Sequence, residues 1–297
     1  MQNDQELKDM VRERYTRVVE QGGVDKQAGC CGSDALTDKI FCVMAEDYAG
    51  TEGYVETADL GLGCGLPVQY ARIRKGDTVI DLGSGAGNDC FVARHAVGPE
   101  GKVIGIDFTP AMIRQARLHA ERMGYNNVEF REGDIENLPV HDQVADVIVS
   151  NCVLNLVPDK RKVFAEMYRV LKPGGHFSVS DIVLAGELPQ ALQDDAALYA
   201  GCIAGAVLQS TYLRLIRDAG FREVMLQKSN PIEVPMEILA RHLSPTEAEA
   251  FRQAGNGILS ISVYAEKPVR TDSHGNINRP TAGSTADARS TGCSGRS

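Results

Sequence analysis

The length, composition and charge of the chain exclude several classes of protein. Its 297 residues are 43% hydrophobic and 24% charged, which is the balance of a globular protein with one large core or two small ones. The formal net charge of −9 argues against nucleic-acid binding, which needs clustered Lys and Arg. No apolar run is long enough to span a bilayer, and the acidic start is unlike a secretory signal. We therefore expect a cytoplasmic protein with no membrane partner.

The first 70 residues are predicted to form a helix followed by loops that carry cysteines. Residues 5–20 have apolar side chains at helical spacing, which predicts an amphipathic helix. Cys30 and Cys31 are adjacent and flanked by glycine, and Cys64 lies in the bent, glycine-rich loop L-G-L-G-C-G-L-P. The chain has eight cysteines, and in a reducing compartment such thiols favour a chemical task over a disulfide framework.

The stretch after this region has the order strand, glycine turn, helix, strand and acid. Thr78–Leu82 is an apolar, β-branched run typical of a buried strand, and a helical pattern follows from Asn88. The turn between them contains Gly83, Gly85 and Gly87. A second strand at 103–106 ends in Asp107, where a carboxylate can accept hydrogen bonds from both hydroxyls of a ribose. These features together predict a nucleoside pocket.

The spacing of the glycines favours S-adenosylmethionine over a dinucleotide. The dinucleotide fingerprint is G-x-G-x-x-G, whereas this turn has G-x-G-x-G and no Gly or Ala at position 88. Asp81 precedes the turn, and its negative charge would repel a pyrophosphate but could hold an ammonium group. The run D-L-G-S-G-A-G resembles the first motif of class I methyltransferases.

Two later strand ends extend the cofactor-binding set. Asp134 follows the third strand, where an acid can accept from the adenine amino group, and Asn151 ends the fourth strand. By the resemblance to class I methyltransferases, Asp134 and Ile135 match the positions that bind and pack the base.

The remaining pattern predicts an α/β, doubly wound, mostly parallel seven-stranded Rossmann-like sheet with an antiparallel edge strand and helical insertions. Further strands are predicted at 128–131, 146–151, 177–182, 221–228 and 258–266. Four regions follow: an N-terminal helix with cysteine loops covering the active site at 1–70, an S-adenosylmethionine-binding domain at 71–229 with an insertion at 184–209 that carries Cys202, a C-terminal insertion and last strand at 230–267, and a disordered tail at 268–297.

Thiols are the side chains that remain as candidates for the chemistry. The six histidines are scattered, and no H-E-x-x-H, C-x-x-C or G-x-S-x-G motif occurs. Cysteines lie instead in separate glycine-rich or strand-end segments: Cys30 or Cys31, Cys64, Cys152 and Cys202. If the fold brings them together over the nucleoside pocket, they form a cage for a soft centre such as trivalent arsenic, whose lone pair could attack a cationic methyl group.

The contexts of these cysteines carry a second resemblance. A-G-C-C-G, L-G-L-G-C-G, S-N-C-V-L-N-L and Y-A-G-C-I-A-G-A, with the glycine turn, resemble arsenite methyltransferases over about residues 10–229. The resemblance implies that Cys152 and Cys202 bind arsenic, with Cys64 acting beside them as a third ligand. It also implies that Cys64 and either Cys30 or Cys31 close a disulfide that returns pentavalent product to the trivalent state. Arsenite or its glutathione conjugate would be the substrate, and thioredoxin or glutathione the reductant.

One departure and two alternative functions remain open. Leu66 stands where many relatives carry Asn, so the loop after Cys64 could differ in geometry. The first alternative is a methyltransferase for a small organic acceptor. The second is a non-enzymatic, thiol-based metalloid-binding protein. Because thiolates bind the metalloid, we expect activity to rise as the thiols ionise.

Overall fold

The computed structural model describes residues 4–21, 46–193, 202–203, 205–253 and 257–269. Seven strands form one sheet in the order β3-β2-β1-β4-β5-β7-β6. The strands are β1 (Thr78–Leu82), β2 (Lys102–Asp107), β3 (Val128–Glu132), β4 (Ala145–Asn151), β5 (Leu171–Leu184), β6 (Arg222–Pro231) and β7 (Ile258–Glu266). The predicted seven-stranded, mostly parallel Rossmann-like sheet is therefore confirmed.

Helices flank this sheet and follow the apolar periodicity of the sequence. They are α1 (Asp4–Glu20), α2 (Pro67–Tyr70), α3 (Asn88–Val97), α4 (Pro110–Arg122), α5 (Lys160–Val170), α6 (Gln190–Gln193), α7 (Gln209–Asp218), α8 (Met236–Leu239) and α9 (Pro245–Gln253). Asp159 caps α5 by accepting a hydrogen bond from the backbone of Arg161. Among the described residues, no helix has both the length and the apolar character needed to cross a membrane.

The parallel half of the sheet forms the centre of the molecule. β1 pairs in parallel with β2 and with β4, and Val79, Ile80 and Leu82 are fully buried because helices cover both faces. The carboxyl ends of β1, β2 and β4 consequently meet at one edge, which is where ligands bind in open α/β sheets.

The other half ends in antiparallel pairs, as predicted. β7 lies between β5 and β6 and is antiparallel to both, so β6 is the outermost strand. β5 begins at Leu171, six residues before the predicted start, and runs through Pro173, Gly174 and Gly175. Gly174 and Gly175 remain paired because they exchange backbone hydrogen bonds with Lys267 beyond β7.

Helix α1 packs over the carboxyl edge of the sheet. Its Val11 and Val18 are buried in one apolar cluster with three cysteines, Cys64, Cys152 and Cys202. Arg12 of α1 lies over the ring of Phe108, 5.3 Å from its centroid. The first helix and the cysteine segments therefore form one layer above the strand ends.

Candidate active site

A cavity of about 1010 Å³, including its open mouth, lies at the carboxyl ends of β1, β2 and β4. Most of the residues predicted from the sequence line it: Asp81, Gly83, Gly85, Asp107, Asp134, Ile135, Asn151 and Cys152. Its size suits a single nucleoside-bearing ligand. Side chains from α1 and from the segment before α2 complete the wall.

Asp107 is fixed in the part of this cavity that is predicted to hold the nucleoside. One carboxylate oxygen accepts from the backbone N–H of Gly85 at 3.0 Å, and the other accepts from that of Thr109 at 2.8 Å. Burial raises the pKa of Asp107, although these backbone hydrogen bonds favour its ionised form. Each oxygen keeps a second lone pair, so the side chain can still accept from ligand hydroxyls.

The glycine turn adopts backbone conformations that other residues rarely adopt. Gly83 and Gly87 have φ values of 70° and 102°. A Cβ at Gly87 would lie 2.8 Å from the ring of Phe130, so this glycine permits close packing of α3 rather than lining the cavity. His119 supports the turn from behind through its Nδ1, 3.2 Å from the carbonyl oxygen of Ala86.

The acid expected to carry a negative charge beside the turn is buried, and its pKa is raised. Asp81 is 2% exposed, and burial together with the neighbouring Asp89 raises its pKa well above the usual value. The thiol of Cys90, buried against β2, donates to Asp81 at 3.2 Å. Burial raises the pKa of Asp89 only to about 6, because Tyr48 and Asn151 donate to it. Asp89, which sequence reasoning missed, is therefore the more readily ionised of the two acids.

Asp134 also lines the cavity and already has a cationic partner. Lys8 of α1 forms an ion pair with Asp134 at 2.6 Å and also contacts Glu136. The backbone N–H of Glu136 donates to the other oxygen of Asp134. Ile135 is buried beside them and lines the cavity. Lys8 was missed because nothing in the helical pattern of 5–20 distinguishes one lysine.

Tyr15 of α1 lies between the nucleoside end and the cysteines. It lines the cavity, and burial raises its pKa well above the usual value, with Cys202, Cys152 and Asp107 contributing further. Because Asp107 and these thiols both raise the pKa of Tyr15, its side chain lies near Asp107 and near the cysteine cluster. Only its place on the apolar side of α1 could have indicated this position.

Three cysteines from distant parts of the sequence meet beside the cavity. Cys152 follows β4 and is buried in one cluster with Cys64 and Cys202, whose thiols help to raise its pKa. The thiol of Cys202 also donates to the carbonyl oxygen of Cys152 at 2.8 Å. All three are free and buried, and among the described cysteines Cys152 alone lines the cavity. Cys30 and Cys31 lie outside the described residues.

The thiols are neighbours but do not form a finished metal site. Among the described residues, no three His, Cys, Asp or Glu side chains are arranged to hold a metal ion. Burial raises the pKa of Cys64, and burial with the two adjacent thiols raises that of Cys152 well above the usual value. Cys152 and Cys202 have φ values of 61° and 66°, a strained conformation that proteins retain mainly at functional sites. Three ligands around one centre therefore require small movements of these side chains.

A polar cluster that sequence reasoning also missed lies behind the thiols. Tyr212 donates to Asp181 at 3.1 Å, and burial raises the pKa of Asp181 to about 7. The buried Lys160 donates to the carbonyl oxygen of Gly205 at 2.9 Å, three residues after Cys202. The segment that carries Cys202 is thus anchored to α5.

The comparisons agree with this geometry. Residues 73–220 match the family profile described as a methyltransferase domain. An arsenite methyltransferase of Halobacterium salinarum is 40% identical over 90% of this chain and 68% of its own length. Another, from Aquipseudomonas alcaligenes, is 35% identical over 80% of this chain and 68% of its own length. The chain thus spans about two thirds of these relatives.

A solved structure resembles the fold directly. The crystal structure of an arsenic(III) S-adenosylmethionine methyltransferase from Chlamydomonas reinhardtii superposes with a TM-score of 0.57 at 35% identity, covering 69% of this chain and 67% of that one. The sheet order, the glycine turn and Asp107 define a class I methyltransferase that uses S-adenosylmethionine. Within that class, the chain belongs to the arsenite methyltransferase family.

Proposed function

We propose that the protein transfers methyl groups from S-adenosylmethionine to trivalent arsenic held by Cys64, Cys152 and Cys202, in the reducing cytoplasm. The observation that carries this proposal is the position of Cys152. It lines the cavity and is buried in one cluster with both other thiols, so it joins the proposed cofactor pocket to the thiol cluster. Methylation at this site would serve arsenic detoxification and arsenical resistance.

The residues around the cavity fit the methyl donor. When bound, S-adenosylmethionine supplies a methyl group on a cationic sulfur; a lone pair can attack this methyl carbon without a general base, and S-adenosylhomocysteine leaves as the S–C bond breaks. Asp107 would accept from the ribose hydroxyls, and Asp134 with Ile135 would hold the adenine. At the other end, Asp89 lies beside the buried Asp81 and would neutralise an ammonium group.

The thiols would bind the acceptor by exchange. Arsenous acid carries three hydroxyl groups, and each thiol that replaces one forms an As–S bond and releases water, with no net proton release. Three sulfur ligands leave arsenic with a lone pair, and soft thiolates suit this soft centre. Cys152 would place the arsenic at the cavity wall, while Cys64 and Cys202 would hold it from behind.

Reduction would complete the cycle. Transfer of a methyl cation to the lone pair formally oxidises arsenic by two electrons. Oxidation of two thiols to one disulfide supplies two electrons and returns the product to the trivalent state. We propose Cys64 with Cys30 or Cys31 as that pair, with glutathione or thioredoxin reducing the disulfide afterwards. Arsenite or its glutathione conjugate would then start the next cycle.

The decisive experiment is a product assay. Purified protein is incubated with S-adenosylmethionine, arsenite and a thiol reductant, and arsenic species are separated by chromatography with elemental detection. We expect mono- or dimethylated arsenic that is absent when the methyl donor is omitted. Unchanged arsenite, with S-adenosylmethionine binding intact, would instead favour a methyltransferase for a small organic acceptor.

The initial rate of arsenite capture should rise with pH between 6 and 9. Because burial raises the pKa of Cys64 and of Cys152, both thiols are protonated across this range. The reactive thiolate fraction then grows by up to about tenfold per pH unit. Rapid quenching followed by elemental detection of protein-bound arsenic measures this rate, with Cys152→Ser as the background. A rate that falls steadily from pH 6 to 9 would contradict capture by these thiols.

A further inference from the structure

Asn151 is the last residue of β4, and its side chain bridges two consecutive residues of the loop that carries Cys64. The side-chain oxygen accepts from the backbone N–H of Cys64 at 3.0 Å. The side-chain nitrogen donates to the carbonyl oxygen of Gly65 at 2.7 Å. One carboxamide thus fixes the backbone on both sides of the Cys64 side chain. Asn151 itself directly precedes Cys152 in the sequence.

The same carboxamide also contacts the wall of the methyl-donor cavity. Its nitrogen lies 2.7 Å from the hydroxyl oxygen of Tyr48 and 3.1 Å from Asp89, to which it donates. The hydroxyl of Tyr48 donates to Asp89 at 2.8 Å. Both N–H bonds of Asn151 are therefore used within the protein, and neither remains for a ligand.

Close packing fixes the loop from the remaining sides. A Cβ at Gly63 would lie 2.6 Å from the side-chain nitrogen of Asn151, and a Cβ at Gly65 would lie 2.5 Å from the hydroxyl of Ser180. Ser260 donates to the carbonyl oxygen of Cys64 at 2.6 Å. The glycines on either side of Cys64 therefore allow the loop to approach Asn151 and β5.

We propose that Asn151 is a positioning residue that holds Cys64 beside Cys152 and, through Asp89 and Tyr48, connects the arsenic-binding thiols to the methyl-donor pocket. This inference rests on the proposed function and deepens it. It replaces the sequence-based prediction that Asn151 binds the cofactor. A carboxamide suits the position because it must accept from one backbone group while donating to another and to a carboxylate.

The test measures the affinity for arsenite and the affinity for S-adenosylhomocysteine separately. Arsenite binding is measured by equilibrium dialysis with elemental detection, and S-adenosylhomocysteine binding by titration calorimetry. In Asn151→Ala we expect arsenite affinity to fall by about tenfold, as for the loss of one or two hydrogen bonds, with S-adenosylhomocysteine affinity changed by less than about threefold. Asn151→Asp should bind arsenite more weakly still, because it loses both donors and adds a carboxylate beside Asp89.

A charge-swapped variant distinguishes positioning from a general structural effect. In Asn151→Asp/Asp89→Asn, the carboxylate at 151 still accepts from the backbone of Cys64, and the new amide at 89 donates to it. The hydroxyl of Tyr48, 3.3 Å from the carbonyl oxygen of Gly65, supplies the lost donor. We expect arsenite affinity to return to within about threefold of the unmodified protein, since the hydrogen bonds are restored.

Asn127→Ala is the matched control. Asn127 also bridges a loop, donating to the carbonyl oxygens of Gly98 and Gly101 at 2.9 Å, but it lies outside the cavity lining. Its loss should leave both affinities unchanged. A weakened S-adenosylhomocysteine affinity with normal arsenite binding in Asn151→Ala would overturn the inference and make Asn151 a cofactor ligand. Failure of the swap to rescue would overturn it in favour of a purely structural role.

A measurement without arsenic separates this inference from the proposed function. Cys64 is fully buried, so its alkylation by N-ethylmaleimide, followed by peptide mass spectrometry, should be slow in the unmodified protein. We expect it to be at least about tenfold faster in Asn151→Ala, because the loop loses two anchors. An unmodified protein that does not methylate arsenic, together with this acceleration, would overturn the proposed function alone. Equal alkylation rates would overturn the positioning role.

Discussion

Replacing Cys152 with serine is expected to abolish formation of methylated arsenic. Cys152 lines the cavity and lies in one buried cluster with the other two thiols, so its loss would remove the proposed ligand that places arsenic at the cavity wall. A hydroxyl is not a soft ligand, and misplacement of a reacting centre by about 1 Å costs on the order of a hundredfold in rate. We expect at least that loss in the product assay. Serine is nearly isosteric, so the strained backbone at this position has the same requirement in the variant.

Controls for this variant test whether the loss of product comes from lost arsenic binding. S-adenosylhomocysteine should bind Cys152→Ser with an affinity within about threefold of the unmodified protein, since no ribose or adenine contact is altered. Cys202→Ser should show the same loss of product, because the thiol of Cys202 donates to the backbone carbonyl of Cys152 and lies in the same buried cluster. Cys293→Ser, in the predicted tail, provides the same chemical change away from the methyltransferase motifs. Full activity in Cys152→Ser would refute the assignment of arsenic to this cluster.

The sequence predicted the parallel half of the fold well because local signals define it. β1 has the bounds expected from its apolar run, and Asp107 ends β2 as the spacing from the glycine turn required. The order of the last three strands could not be predicted from the sequence. Strand pairing is a non-local property, so periodicity alone does not place β7 between β5 and β6. The long β5 runs through Gly174 because pairing with the segment after β7 overrides the local preference of a Pro-Gly-Gly sequence for a turn.

The candidate site likewise has features that follow from local sequence spacing and features that depend on contacts between distant residues. The cavity lining at the glycine turn and at Asp107 followed from residue types at fixed spacings. The meeting of the cysteines was expected from a family resemblance, and the structure shows its physical basis in the contact between Asn151 and the backbone of Cys64, 87 residues apart in sequence. The sequence did not indicate Asp89 as a second acid at this place, because burial, which a sequence does not show, raises the pKa of Asp81 well above its usual value and that of Asp89 only to about 6.

Residues outside motifs were missed for a related reason. Lys8, Tyr15 and Tyr48 reach the cavity from segments whose sequence pattern predicts only helix or loop. Their contribution depends on how α1 and the segment before α2 lie across the strand ends. No spacing rule describes that arrangement, because it is set by packing of Val11 and Val18 onto the cysteine layer.

Replacing Asp107 with alanine is expected to remove methyl-donor binding while leaving the thiols able to bind arsenite. The carboxylate is held by the backbone N–H groups of Gly85 and Thr109, so its free lone pairs are already oriented in the cavity. Two charge-assisted hydrogen bonds to ribose hydroxyls contribute about 1.5–3 kcal/mol each. Titration calorimetry with S-adenosylhomocysteine should therefore show a dissociation constant raised at least about a hundredfold. Arsenite affinity should stay within about threefold, because none of the three thiols is altered.

Asp146→Ala is a close match for the structural part of this change. Asp146 also accepts from a backbone N–H, that of Thr78 at 2.9 Å, and from Lys172 at 2.7 Å, but it lies at the opposite ends of the strands. If the loss in Asp107→Ala came only from releasing backbone groups, both variants would lower the melting temperature and weaken S-adenosylhomocysteine binding alike. We expect the thermal effects to be similar and the loss of binding to be confined to Asp107→Ala. Unchanged binding in Asp107→Ala would show that the ribose is held elsewhere. The acid at the end of β2 would then not be part of the cofactor pocket.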